Sequence, residues 1–156
     1  MKEKIICFYH KGDMDGIGSA AIVNYRFSKE ADIEFVPCEY GEKTTFTEDI
    51  KDSKVIVVDF SFPKPTMEFL SQMAKRFYWI DHHKTAMNEM PELWNKNGKC
   101  SLDKAACVLT WETFFLDKPV PEAIKLLGDY DLWKFEFGDA TKNFQEVIWH
   151  YIMTES

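Results

Sequence analysis

No stretch of this 156-residue chain is apolar for long enough to cross a bilayer as a helix, and the first residues run into a short strand without the apolar core of a signal peptide. A membrane or secreted protein is therefore not expected, and a cytoplasmic one is. Cysteine is sparse and unpaired: Cys7, Cys38, Cys100 and Cys107 show no CxxC spacing. That argues against a redox pair or thiolate zinc site and leaves the four as reduced core residues. Basic charge is also short, with a formal net charge of −7, whereas a duplex-binding protein carries a basic face. Five acids of the loops considered below, Asp13, Asp15, Asp59, Asp81 and Asp129, account for most of the imbalance, and without them −7 becomes −2. Small anionic substrates and short strands therefore stay open once a cation is bound. Repeats, low-complexity tracts and linkers are lacking too, so residues 1–156 read as a single domain.

What is there suits a globular α/β protein. The chain is long enough to bury a core without disulfides, and 46% hydrophobic with 29% charged residues is ordinary for a soluble domain. Residues 5–9 form a short apolar run that predicts a first strand, ending on His10-Lys11-Gly12-Asp13-Met14-Asp15-Gly16. Small and apolar residues over 17–27 then fit a helix packed closely on a sheet. Residues 33–38 alternate as a second strand, with Pro37 marking an edge or an early end. Lys54-Val55-Ile56-Val57-Val58 is the strongest strand, a β-branched run of the kind found inside parallel sheets, and it stops on Asp59. An amphipathic helix through Met67, Leu70 and Met73 leads to a fourth strand over 77–80, which stops on Asp81-His82-His83. Beyond it, 85–94 is helical or irregular, 99–102 is a short strand, and helices are predicted over 105–116, up to 127 and over 141–153. In the last, Phe144, Val147, Ile148, Tyr151 and Ile152 make one apolar face, for covering the sheet or docking on another domain. Strands alternating with helices imply a mostly parallel sheet flanked by helices on both faces.

Three of these strands end on acids and imidazoles, and in a parallel sheet those ends lie side by side along one edge. Singly, Asp59 reads equally well as a helix N-cap, and Asp13 with Asp15 as a solvated turn. Together they crowd carboxylates that repel one another, which divalent cations resolve. Asp and His donors without thiolate suit Mn²⁺, Fe²⁺, Zn²⁺ or Mg²⁺, and the imidazoles tilt the choice from Mg²⁺ towards Mn²⁺. Two ions about 3.5–4 Å apart, sharing a carboxylate and a hydroxide nucleophile, would use so many ligands and suit in-line attack on phosphorus.

His10-x-x-Asp13-x-Asp15-Gly16, Val57-Val58-Asp59, Asp81-His82-His83 and a later acid at Asp129 resemble, in order, the four motifs of the DHH phosphoesterase superfamily. The resemblance implies that His10 and Asp13 bind one metal, that Asp15, His82 and Asp129 bind the other, and that Asp59 bridges them. It implies a substrate or leaving-group contact for His83 and a supporting role for Asp81, orienting a neighbouring histidine. Asp129 is preferred to Asp131 because in relatives an aromatic follows the motif acid by four residues, as Trp133 does here; Asp131 is left to cap or brace the site.

The spacing of two residues between His10 and Asp13 departs from the pyrophosphatase branch, which has three. Members also carry a smaller substrate-binding domain with a Gly-rich motif, whereas no glycine follows Gly138. The function expected is a manganese-dependent phosphodiesterase acting on a nucleotide or short single-stranded nucleic acid. The alternatives are a metal-binding module with little activity until a second copy or a partner domain supplies the substrate half, and a pyrophosphatase. Phe60, Phe62, Tyr130 and Trp133 are candidates for stacking on a base, or for core packing, and Lys11, Lys84 and Lys104 for phosphate contacts.

Overall fold

The run with the strongest strand chemistry lies at the centre of the sheet. In the computed structural model, which describes residues 2–46 and 48–155, β3 (Lys54–Val58) is buried at every position. It lies between β1 (Glu3–His10) and β4 (Arg76–Asp81), with β2 (Ala31–Cys38) and β5 (Gly98–Cys100) outermost, in the order β2-β1-β3-β4-β5. Every pairing is parallel, so the sheet is wholly parallel. Pro37 sits within β2, an edge strand that can tolerate a missing N–H on its open side.

Parallel strands need crossovers, and helices lie on them: α1 (Met14–Phe27), α2 (Lys64–Met73), and the short α3 (Lys84–Glu89) and α4 (Pro91–Asn97); α5 (Ala106–Phe114), α6 (Glu122–Asp131) and α7 (Asp139–Glu155) follow the last strand. Side chains alternate across the strands. Ile6, Phe8, Val55, Val57 and Trp79 face Met67 and Leu70 of α2 and Ala86 of α3. Ile5, Cys7, Ile56, Val58 and Ile80 face Val23 and Phe27 of α1 and Leu109 of α5. The segment over 85–94 is thus helical, as two short pieces broken at Met90, and the last strand starts at Gly98 and ends at Cys100 rather than covering 99–102.

A third cluster, built on Met14, Ile22, Cys107, Trp111 and Leu127, joins α1, α5 and α6 and receives Phe144, Ile148 and Ile152 of α7. The terminal helix therefore packs on other helices and not on the sheet. Its apolar face is narrower than the sequence suggests, because Val147 and Tyr151 stay 68% and 63% exposed. No helix among the described residues is long and apolar enough to cross a membrane.

The register brings the strand ends level. Tyr9 pairs with Val58, Val58 with Ile80, and Asp81 with Cys100, so the residues that follow β1, β3 and β4 open onto one edge.

Candidate metal centre

The β1–α1 turn is as tight as glycine permits. A Cβ on Gly16 would lie 2.1 Å from the His10 carbonyl oxygen, so only hydrogen fits there. Asp13 caps α1, its Oδ1 accepting the Gly16 N–H at 2.9 Å, while its Oδ2 lies 2.8 Å from His10 Nδ1. Asp15, buried, accepts the Ala106 and Cys107 N–H groups at 2.8 and 2.7 Å, at the start of α5. The turn thus presents His10, Asp13 and Asp15 at one edge, each with a fixed orientation.

Asp59 ends β3 in the left-handed region, with φ of 50°. Asp tolerates that conformation better than most residues, and here it aims the carboxylate into the centre of the edge. The side chain is 1% exposed, and neither oxygen has a hydrogen-bond partner among the described residues. One oxygen lies 3.5 Å from His10 Nδ1 and the other 3.4 Å from His82 Nε2. It is no helix cap, since Pro63 precedes α2.

Asp81 is fully buried at the end of β4. Its Oδ1 accepts the backbone N–H of His82 at 2.8 Å and lies 2.7 Å from His83 Nδ1. The DHH tripeptide is thereby divided: His83 is oriented by Asp81, and His82 turns its Nε2 to three carboxylates, those of Asp15, Asp59 and Asp131, at 3.4–3.5 Å.

Asp131, not Asp129, closes the cluster. The two stand two residues apart near the end of α6 and so point to opposite sides of the helix. Asp131 Oδ2 faces His82 and lacks a hydrogen bond. Asp129 is turned away. Its carboxylate accepts the Glu136 and Phe137 N–H groups at 2.9 and 3.4 Å and the Thr141 hydroxyl, bracing the segment between α6 and α7. The geometry thus reverses the choice of Asp129 over Asp131. A signal for it existed, because Ile124, Leu127, Gly128 and Asp131 form one i, i+3, i+4, i+7 stripe, and its apolar members pack towards α1 and α5.

Crowding sets the charge states. Burial, reinforced by Asp59 and Asp131, holds Asp15 well above the usual carboxylate range, and burial pushes Asp131 up to about 6. Burial also raises Asp13, with Asp59 adding to it. Asp59 is drawn down to about 2, because His10 and His82 outweigh the effect of its burial. The neighbouring Asp59 lifts His10 to about 9, and His82 reaches about 9 because Asp59, Asp15 and Asp131 outweigh its burial. Asp81 raises His83. A field that stabilises two imidazolium ions favours any cation at this edge.

Among the described residues three groups of side chains could hold such a cation: His10 with Asp13 and Asp59, Asp15 with His82 and Asp131, and Asp59 with His82 and His83. The donors are nitrogen and oxygen only, and buried atoms without hydrogen-bond partners include His10 Nδ1 and one Asp59 oxygen, which face each other, and the other Asp59 oxygen and Asp131 Oδ2, which both face His82, as suits a divalent cation.

The profile of the DHH family, N-terminal domain, matches residues 4–127. The chain belongs to the DHH family. That family is one of phosphoesterases, whose members use divalent metals. An uncharacterised protein of Acanthamoeba polyphaga mimivirus is 32% identical over 143 residues, which is 84% of this chain and 34% of the viral protein. An uncharacterised Helicobacter pylori protein of known crystal structure has the same fold, with a TM-score of 0.61 at 13% identity, over 86% of this chain and 45% of that one. The chain thus spans about a third to a half of the length of these relatives.

Glu39 is the neighbour that the motifs did not signal. It follows β2 with no pattern to mark it, yet its Oε1 lies 3.3 Å from His10 Nε2. Among the lysines expected at phosphate, Lys11 and Lys104 form 2.7 Å ion pairs with Glu42 and Glu112. Phe60 and Phe62 are core residues at 4% and 7% exposure, whereas Trp133 is 69% exposed.

Proposed function

We propose that this DHH domain is a metal-dependent phosphodiesterase acting on a nucleotide or a short single-stranded nucleic acid. The observation that carries the reading is Asp59, a buried carboxylate with one free oxygen towards His10 and the other towards His82. That is the disposition of a carboxylate shared by two cations. His10 and Asp13 would hold one with it, and Asp15, His82 and Asp131 the other; Mn²⁺ suits such a donor set better than Mg²⁺. When bound, the ions supply a lowered pKa for attacking water and positive charge for the phosphoryl oxygens.

The chain's own contribution is positional. Asp81 fixes the ring of half-exposed His83 through Nδ1 and leaves Nε2 to contact a phosphoryl or leaving-group oxygen. The amides of Ala106 and Cys107 keep Asp15 oriented while its Oδ2 also faces His82. A cytoplasmic location fits the four free thiols.

Hydrolysis of bis(p-nitrophenyl) phosphate with added Mn²⁺ tests this reading. Asp59→Asn should be slower by at least about 100-fold, and equal rates in the two chains would refute it. Faster release from pyrophosphate than from the diester would favour a pyrophosphatase instead. A second reading, a metal-holding module that needs a partner or a second copy for turnover, is favoured by the exposed Val147 and Tyr151 of α7, an apolar surface that another subunit could cover. Turnover by a monodisperse monomer would argue against it.

A further inference from the structure

Beside the metal centre, and continuous with it at Asp13, lies a cavity of about 690 Å³ walled by Tyr130, Trp133, Phe135, Lys142 and Trp149. Three of these rings lock edge to face: Tyr130 to Trp133 at 5.4 Å, Trp133 to Phe135 at 4.8 Å and Tyr130 to Phe135 at 5.8 Å between centroids. Lys142 Nζ lies 5.5 Å from the centre of the Phe135 ring. Despite these contacts Trp133 remains 69% exposed. It also adopts φ of 56°, a left-handed conformation costly for a bulky residue and kept only where surrounding structure imposes it. Here the Trp133 N–H donates to the Tyr130 carbonyl at 2.9 Å, and the Asp129 carboxylate holds the amides of Glu136 and Phe137. Trp133 is two residues from Asp131, so one braced segment carries both a metal-centre acid and an open indole.

We infer that this aromatic cavity is a subsite for the nucleobase of the phosphoester substrate, with Trp133 as the stacking ring. The inference rests on the phosphodiesterase reading for what occupies the neighbouring centre. An occupant must bring a flat ring for the aromatic wall and, a few ångströms away, an anionic group that seeks cations among acids. A nucleotide has both; an apolar peptide could bring a ring but no anionic group for cations held beside Asp13. Base stacking tolerates any base, so the subsite selects for a base and not for which one.

The test is calorimetric titration of the whole chain, in Mn²⁺, with adenosine 5′-monophosphate and with ribose 5-phosphate. The native chain should bind the nucleotide about 5- to 150-fold more tightly, the range that one stacked base contributes. Trp133→Ala and Trp133→Gly should lose that margin, and Trp133→Phe should keep most of it. Trp133→Gly relaxes the left-handed backbone and should melt no lower than the native chain, which separates loss of the ring from loss of the fold. Equal affinity of the native chain for the two ligands, or an undiminished preference in the Ala and Gly variants, would overturn the inference. A preference for the nucleotide without any diester hydrolysis would refute the phosphodiesterase reading alone, and hydrolysis without that preference would refute the base subsite alone.

Discussion

Two aspartates near the end of α6 stand in opposite surroundings, Asp131 facing the carboxylate cluster and Asp129 bracing the segment that leads to α7. Asp129→Ala would strand two amides and a hydroxyl that its carboxylate now accepts, at a cost of about 1–3 kcal/mol. Asp131→Asn removes a half-buried carboxylate that desolvation, and then Asp59 and Asp13, disfavour, so metal-free stability should not fall, while Mn²⁺ affinity should drop at least about tenfold. Urea unfolding and Mn²⁺ titration of both variants check the pair, and the opposite pattern would restore Asp129 to the site. The pH dependence has a definite sign. The Thr141 hydroxyl and the two amides lower the pKa of Asp129 despite burial, so its contribution to stability is complete above the unfolded value of about 3.9. It is lost as pH falls through the folded value, and the gap between the native chain and Asp129→Asn should shrink below about pH 4. The sequence alone favoured Asp129, whereas the fold brings Asp131 to the cluster, because spacing to an aromatic carries no direction and the helical stripe through Ile124 and Leu127 does.

Among the elements, the strands were readable in the sequence because each bears one dominant signal: a β-branched run for β3, an aromatic run for β4, a loaded turn after β1. The segments that misled have competing signals. The face of α7 was one stripe on paper, but a helix packed on α6 instead of a broad sheet covers Phe144, Ile148 and Ile152 in part and leaves Val147 and Tyr151 exposed. Likewise β5 has three residues, too few for periodicity to register its bounds. The β1–α1 turn, by contrast, depends on one glycine. Gly16→Ala would force a Cβ to within 2.1 Å of the His10 carbonyl oxygen, and backbone cannot yield as a side chain does. A loss of about 3 kcal/mol or more is expected. Gly41, with φ of 85° and nothing within 4 Å of an added Cβ, is the control, and Gly41→Ala should cost only about 1–2 kcal/mol. Denaturant midpoints of the two variants measure the contrast, and equal costs would show that the turn can open.

For the whole molecule, the metal centre and the cores are separate structures. The sheet faces and the helical cluster are apolar, and the acidic edge lies where the strands end, so folding is expected not to depend on an ion. A chain stripped with chelator should therefore retain its helical circular dichroism and cooperative melting. Ions that bind only the folded state then add stability by mass action, about 2.7 kcal/mol per site when free Mn²⁺ is a hundred times the dissociation constant. For a domain of this size that corresponds to a rise in Tm of about 5–10 °C. The increment should grow with the logarithm of Mn²⁺ concentration, be largely lost in Asp59→Asn, whose carboxylate faces both halves of the donor set, and be only partly lost in Asp131→Asn. A chelated chain that is unfolded would instead mean that carboxylate repulsion at the edge exceeds what the cores supply. A Tm indifferent to Mn²⁺ would mean that protons on His10 and His82 suffice to balance those carboxylates and that no divalent ion binds.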